Sequence, residues 1–312
     1  MDPSFWKGKK VVVTGGAGFL GKHIINRLKD TQADIFVPRS KIYDLRDKEC
    51  AFIALRDADI VLHLAAVVGG IGFNIDNPGK IYYDNVMINT NTLEAARINA
   101  VKKFVGISSA CAYPLEAPVP LKEEYLFTGR PEPTNEAYGF SKLMLIVQSQ
   151  AYRKQYGMNI ITPVLFNMYG PYDDFKPETS HVIPAMIKKY LEQRHVVNFG
   201  DGSPSRSFLF VEDAAEGIIL AAEKYDSPEP VNIGSDEEIK IKDLADLIAR
   251  LTNFKGTVEW DNSKPGGQPR RCADTSKAYK LFGFKAKTSL EEGLRKTIEW
   301  YKNERKSNLG HT

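Results

Sequence analysis

Apolar runs and helix-period stretches alternate through the first half of the chain. "KKVVVTG" is a short run rich in β-branched residues and stopped by glycine, the pattern of a buried strand. "GFLGKHIINRLKD" follows, with Phe19, Leu20, Ile24 and Leu28 on one helical face. The next strand-like runs are "DIFVP", "ADIVLHLAA", "KKFVGISS" and "IITPVLFN". Between the last three lie "NVMINTNTLEAARINA" and "EAYGFSKLMLIVQSQAYRKQYG", both of helical period and length. Strands alternating with helices this long pair in parallel through right-handed crossovers. The expectation is an α/β protein with a doubly wound parallel sheet.

Beyond Asn167 the pattern changes. Loops rich in Gly, Pro and Asp ("MYGPYDDFKPETS", "FGDGSPSRS", "SKPGGQPRR") interleave with helical stretches at 181–194, 210–225, 240–252 and 289–304. This reads as a smaller, mixed C-terminal substrate-binding region over the sheet edge. The expected division gives 1–166, with 207–232 returning to it, to a dinucleotide-binding domain. Residues 167–206 and 233–312 then form the substrate-binding region. No low-complexity linker separates the two, and no internal repeat is visible.

Composition narrows the class. The 312 residues are 43% apolar, enough for a full core, and 42 Lys and Arg nearly balance 39 Asp and Glu. Basic residues do not run together, which argues against a nucleic-acid partner. Cys50, Cys111 and Cys272 are odd in number and widely spaced, so neither a disulfide framework nor a metal site is expected, and a reducing compartment is. The absence of a long apolar stretch predicts no membrane span and no signal peptide, hence a cytoplasmic protein.

"VVVTGGAGFLG" sets Gly15, Gly18 and Gly21 at three-residue intervals between a strand and a helix. The first permits a tight turn, the second lets backbone approach a pyrophosphate, and the third lets helix pack closely on strand. The helix N-terminus, at Phe19 and Leu20, then turns unpaired N–H groups toward the phosphates. The sheet is therefore expected to be of Rossmann type and to bind a nicotinamide dinucleotide. After the second strand comes "FVPRSK", with Arg39 near Lys41 and no carboxylate, which favours NADP(H) over NAD(H). Asp44 is expected to reach the adenine edge. Leu64, Ala65 and Ala66, closing the next strand, are expected to let backbone lie against the cofactor, while His63 reads as a packed residue.

"EAYGFSK" places Tyr138 and Lys142 on one face of a helix. A phenol has an ordinary pKa of about 10, and a neighbouring ammonium favours phenolate. The same lysine can grip a nicotinamide ribose, and Ser109, at the end of the strand in "GISSACAYP", can share a substrate oxygen with Tyr138.

Together, the glycine loop, the Ser109 strand end and the Tyr138/Lys142 pair resemble the extended short-chain dehydrogenases, the NAD-dependent epimerase/dehydratase group. "VGGIGFN", "SSACAYP" followed by "PTNEAYGFSK", and "NMYGPYDDFKPETSHVIPAMIKK" are similar to the GDP-L-fucose synthases within it. These are 3,5-epimerase/4-reductases acting on GDP-4-keto-6-deoxymannose. The resemblance implies a reductase triad of Ser109, Tyr138 and Lys142, and an epimerisation acid–base pair of Cys111 and His181. Asn167, Val182, Lys189, Arg206 and Arg270 are implied as substrate contacts, with a lysine at 189 where the family often has arginine. Cys111 lies two residues beyond Ser109, so in an extended segment both side chains would share a face. Ala17 departs from the basic residue that many of these synthases carry in the glycine loop. The helices near 85–99 and 138–157 imply a four-helix homodimer interface. The rivals are a redox-neutral, NAD-containing sugar-nucleotide 4-epimerase and a catalytically silent NADP-binding sensor.

Overall fold

The computed structural model describes residues 1–177, 179–263 and 268–309, so 264–267 of the Gly/Pro-rich loop and Glu178 lie outside the described residues. Strand β1 (Lys10–Thr14) is central, and Val11, Val12 and Val13 are wholly buried, as a parallel strand covered on both faces requires. It pairs in parallel with β2 (Asp34–Phe36) on one side and β3 (Ile60–His63) on the other. β4 (Lys103–Gly106) and β6 (Ile160–Ile161) extend the sheet beyond β3. β5 (Ser108–Ser109), β7 (Pro163–Leu165) and β12 (Val231–Ile233) form a second parallel ladder in the order β12-β7-β5.

"KKFVGISS" and "IITPVLFN" each read as one strand, and each is divided, at Ile107 and at Thr162. The register is the same on both sides of the break, Phe104 opposite Ile160 and Ser108 opposite Val164, so the chain past Gly106 keeps the same neighbouring segment.

Side-chain alternation sorts the sheet into two cores. Val11, Val13, Ile60 and Leu62 pack with α2 (Phe19–Leu28) and α8 (Val211–Lys224). Val12 and Val61 face the opposite way, with α3 (Lys48–Ala54) and α5 (Pro78–Ile98). α6 (Glu136–Tyr156) lies alongside α5. α5 starts earlier than its periodicity predicts, because Pro78 sits in the first turn, where a missing N–H costs nothing. α1 (Pro3–Trp6) inserts Trp6 under the first core, its indole donating to Glu223 at 2.6 Å.

A third core unites α7 (Val182–Glu192), α9 (Ile241–Thr252) and α11 (Leu290–Leu309) through Ile183, Ile187, Leu244, Ile248, Leu294 and Ile298. Small sheets flank it. β9 (His195–Phe199) pairs with β14 (Thr257–Asp261), and β8 (Met168–Tyr169) with β11 (Leu209–Phe210). β10 (Ser205–Ser207) lies between β13 (Glu238–Lys240) and β15 (Arg270–Arg271). One piece departs from the expected division. In α10 (Ser276–Phe282), Ala278 and Phe282 are buried with Val11 and Ile24, as is Phe284 just beyond, so this segment belongs to the sheet. α4 (Ile71–Asp76) is a short helix before α5.

The chain runs outward from β1 to β2 and returns across β1 to β3, which makes a topological switch point at their carboxyl ends. That is where open α/β sheets leave a crevice. Gly21 holds α2 to it: a Cβ there would stand 2.4 Å from the Gly15 oxygen and 2.4 Å from the Gly16 Cα, both backbone. Gly21→Ala is expected to lower unfolding free energy by about 1–3 kcal/mol. Denaturant unfolding checks it, and an unchanged transition would mean that α2 does not depend on this contact.

Candidate active site

The sheet and the third core leave between them a cleft of roughly 1740 Å³ at the switch point. Gly15, with φ +71°, turns the chain so tightly that a Cβ would meet the Ala65 nitrogen at 2.9 Å. Leu64, Ala65 and Ala66 therefore lie directly beside the glycine loop, and all three line the cleft with Gly18, Phe19 and Leu20. Gly18 is the N-cap of α2 and offers no side-chain acceptor, so the first N–H groups of this helix face the cleft uncapped. This cradle suits a pyrophosphate. Arg39 and Lys41 line the same end, where a ribose phosphate would lie. Asp44 also lines it, but Arg46 grips its carboxylate at 2.6 Å and holds its pKa down. His63 is buried between the Thr14 hydroxyl (2.8 Å) and Asn89 (3.1 Å). Burial, then the charge of Lys142, pulls its pKa down to about 3, leaving a neutral structural ring.

α6 carries Tyr138 and Lys142 one turn apart, the ammonium 5.7 Å from the phenol ring centroid. Lys142 is buried, donates to the Ile107 carbonyl at 3.0 Å, and is drawn down to about 8 by desolvation. Tyr138 is pushed up, first by burial and then by the charge of Cys111, while its bond to Ser109 acts the other way. The Tyr138/Lys142 spacing by itself predicts a lysine that favours phenolate. Here burial dominates, and the tyrosine is kept as a proton holder.

Ser109 and Cys111 do not share an extended segment. The Ser109 hydroxyl accepts the Cys111 N–H at 3.2 Å and coils Ala110–Ala112 into a single 3-10 turn. Both residues still line the cleft, and the Cys111 sulfur lies 3.8 Å from the Arg271 guanidinium. His181 enters the cleft from its other wall, at the N-cap of α7. Its ring is open to the cleft. The deep setting lowers its pKa and the charge of Asp174 partly restores it. Thr179 and the Lys176 N–H hold that aspartate.

Asn167, Val182 and Lys189 line the same cleft. Asn167 donates to the Ser207 carbonyl at 3.0 Å, and Lys189 donates to that of Val197 at 2.7 Å beside the Phe199 ring. Arg206 also lines it and donates to the Ser205 carbonyl, and burial followed by the charge of Arg271 lowers it to about 10. Arg270 does not line it. Its guanidinium forms two 2.8 Å bonds to Glu238 and a third to the Val119 carbonyl, away from the cleft. The cleft arginine is its neighbour, Arg271. Successive strand residues face opposite ways, and the register pairs Arg206 with Arg271, so these two share a face. Nothing in a run of two arginines tells which faces inward without that register.

Asp173 is another residue missed by sequence reasoning. It lines the cleft with Oδ2 buried and unpartnered, and desolvation lifts it to about 7. The enclosure of that oxygen depends on packing that no local motif records.

Glu238 is held down to about 2, chiefly by Arg270, against an ordinary 4.5. The pair therefore stabilises the fold above the ordinary carboxylate range, and that contribution disappears as pH falls toward 2. Arg270→Gln is expected to lower the unfolding midpoint modestly at neutral pH, to have no effect in strong acid, and to leave substrate affinity within about twofold. A large loss of affinity at unchanged stability would return Arg270 to the substrate.

Residues 11–234 match the NAD dependent epimerase/dehydratase family. The chain is 38% identical over 309 residues to GDP-L-fucose synthase 1 of Arabidopsis thaliana, covering 95% of this chain and 94% of that one. Among solved structures, a GDP-6-OMe-4-keto-L-xylo-heptose reductase from C. jejuni superposes with a TM-score of 0.90 at 26% identity, covering 97% and 99% of the two chains. A GDP-L-fucose synthetase from Naegleria fowleri bound to NADP superposes at 0.86 and 28% identity, covering 96% of each. With its glycine cradle and its Ser109, Tyr138 and Lys142 in one cleft, this chain belongs to the NAD dependent epimerase/dehydratase family.

Proposed function

We propose that this protein converts GDP-4-keto-6-deoxymannose to GDP-L-fucose, or to a close GDP-deoxysugar, by 3,5-epimerisation and NADPH-dependent 4-reduction. One observation carries the reading: two proton-handling sets, Cys111 with His181 and Tyr138 with Ser109, open into the same cleft. The relatives named as GDP-L-fucose synthases, and the NADP-bound neighbour, support the substrate and the cofactor.

Arg206 takes the substrate's anionic diphosphate, and Asn167, Val182 and Lys189 border the rest of the nucleotide-sugar. Tyr138 and Ser109 donate to the C4 ketone oxygen, which acidifies the protons on C3 and C5. Cys111 and His181, presented from opposite walls, remove a proton from one face of each carbon and return one to the other. NADPH, when bound, supplies hydride to C4. Tyr138 then protonates the oxygen. Gly15, Gly18, Phe19, Leu20 and Gly21 cradle the pyrophosphate, Leu64 to Ala66 lie beside the cofactor, Asp44 borders the adenine end, and Lys142 takes the nicotinamide ribose. Arg39 meets the 2′-phosphate, which offsets the lack of a basic residue at Ala17.

The same reading extends to assembly and location. α5 and α6 leave Tyr82, Tyr83, Val147 and Tyr156 exposed, a surface suited to a homodimer. Three free cysteines suit the cytoplasm, and among the described residues no helix is long and apolar enough to cross a membrane. Residues 1–166 and 207–232, now with 276–284, form the dinucleotide-binding part, and the remainder the substrate-binding part. A plain reductase of a 4-keto sugar would need no base at C3 or C5; Cys111 and His181 in the cleft argue for the fuller reaction.

Incubation with GDP-4-keto-6-deoxymannose is expected to consume NADPH in step with the sugar. Tyr138→Phe should slow this by about 100-fold or more while NADPH still binds, read by cofactor fluorescence. A redox-neutral epimerase would consume no NADPH, and a sensor would not respond to the substitution.

A further inference from the structure

Asn198 is a polar side chain on the buried face of a strand. β9 alternates, so Asn198 points the same way as Val196, which is wholly buried in the third core. An amide in such a position costs stability unless its polar atoms find partners. Its Nδ2 donates to the hydroxyl of Tyr190, on α7, at 3.1 Å, and that bond fixes the orientation of the amide. Among the described residues none donates to its Oδ1. Asn198 lines the cleft and Tyr190 stands behind it in the core, so the oxygen is the part of the amide offered to a ligand.

Position along the cleft identifies the ligand group. α7 runs from His181, at the sugar end, to Lys189, roughly 12 Å farther along the helix. Lys189 reaches β9 itself, donating to the Val197 carbonyl next to Asn198. Sugar, diphosphate and nucleoside follow one another in a nucleotide sugar. With the sugar at His181 and the diphosphate at Arg206, the base falls at the end marked by Lys189 and Asn198. We propose that Asn198 reads the base of the substrate, its Oδ1 accepting from the N1–H and 2-amino donors of guanine. The inference rests on the reading of the substrate as a GDP-linked sugar. Adenine presents a bare N1 acceptor at the same edge, which would leave two acceptors face to face and unpaired. Tyr190 is a positioning residue that acts through Asn198, holding the amide with its oxygen toward the cleft.

The test titrates GDP and ADP calorimetrically into the whole protein saturated with NADP, which keeps the adenine end of the cofactor site filled. The unaltered protein is expected to prefer GDP by about 10-fold or more. Asn198→Val, whose side chain suits a buried strand, should weaken GDP binding by about 10-fold and ADP binding by less than about twofold. Tyr190→Phe keeps the ring, removes only the hydroxyl, and should lose part of the same preference. NADP binding, measured by fluorescence quenching before each titration, establishes that a variant is folded. Equal losses for both nucleotides in Asn198→Val would mean a purely structural amide and would overturn the proposal. So would a GDP preference that survives Asn198→Val, and one that survives Tyr190→Phe would overturn the orienting role. An unaltered protein that binds ADP as tightly as GDP would overturn the GDP-linked reading and this inference with it.

Discussion

The cleft is registered by the contact between α6 and the turn that follows β5. A Cβ on Gly139 would lie 2.3 Å from the Cys111 carbonyl oxygen and 2.8 Å from Pro131, so the helix meets the turn at backbone distance. That contact seats Tyr138, the preceding residue, beside Ser109, and Lys142 one turn later under Ile107. It also presses the Cys111 turn toward Arg271. A side chain at 139 would move Tyr138 away from the Cys111 turn, because both are aligned by the same close approach. In this sense, the geometry of the cleft depends on one missing methyl group.

Around that contact the protein concentrates uncompensated positive charge. Lys142 is buried, and among the described residues Arg206 and Arg271 have carbonyl, amide or sulfur partners in place of carboxylates. Such an arrangement costs stability in the empty protein and is offset when anions arrive. Both expected ligands carry diphosphates, so the cleft is complementary to what it would bind. Burial also sets proton roles. It keeps Tyr138 protonated and His63 neutral, whereas Asp174 partly restores the basicity of His181.

Features that depend on local period were legible in the chain. The Val11–Val13 strand, the face of α2, the three glycines and the Tyr138/Lys142 turn all follow from spacing of two, three or four residues. Features that depend on register or on long-range packing were not. The choice between Arg270 and Arg271 is made by the pairing of β15 with β10, which no local motif encodes. The shared face expected for Ser109 and Cys111 failed because a hydroxyl captured a backbone N–H and coiled the segment. α10 joined the sheet core through Phe282, and the Asp173 Oδ2 became enclosed, only after distant elements closed around them.

The central claim is that carbon-acid and hydride chemistry share one cleft. The measurement that tests it most directly is the mass of the product formed from GDP-4-keto-6-deoxymannose and NADPH in heavy water. Two deuterons bound to sugar carbon, together with reduction at C4, are expected. Reduction without carbon-bound deuterium would contradict it and leave a plain ketoreductase.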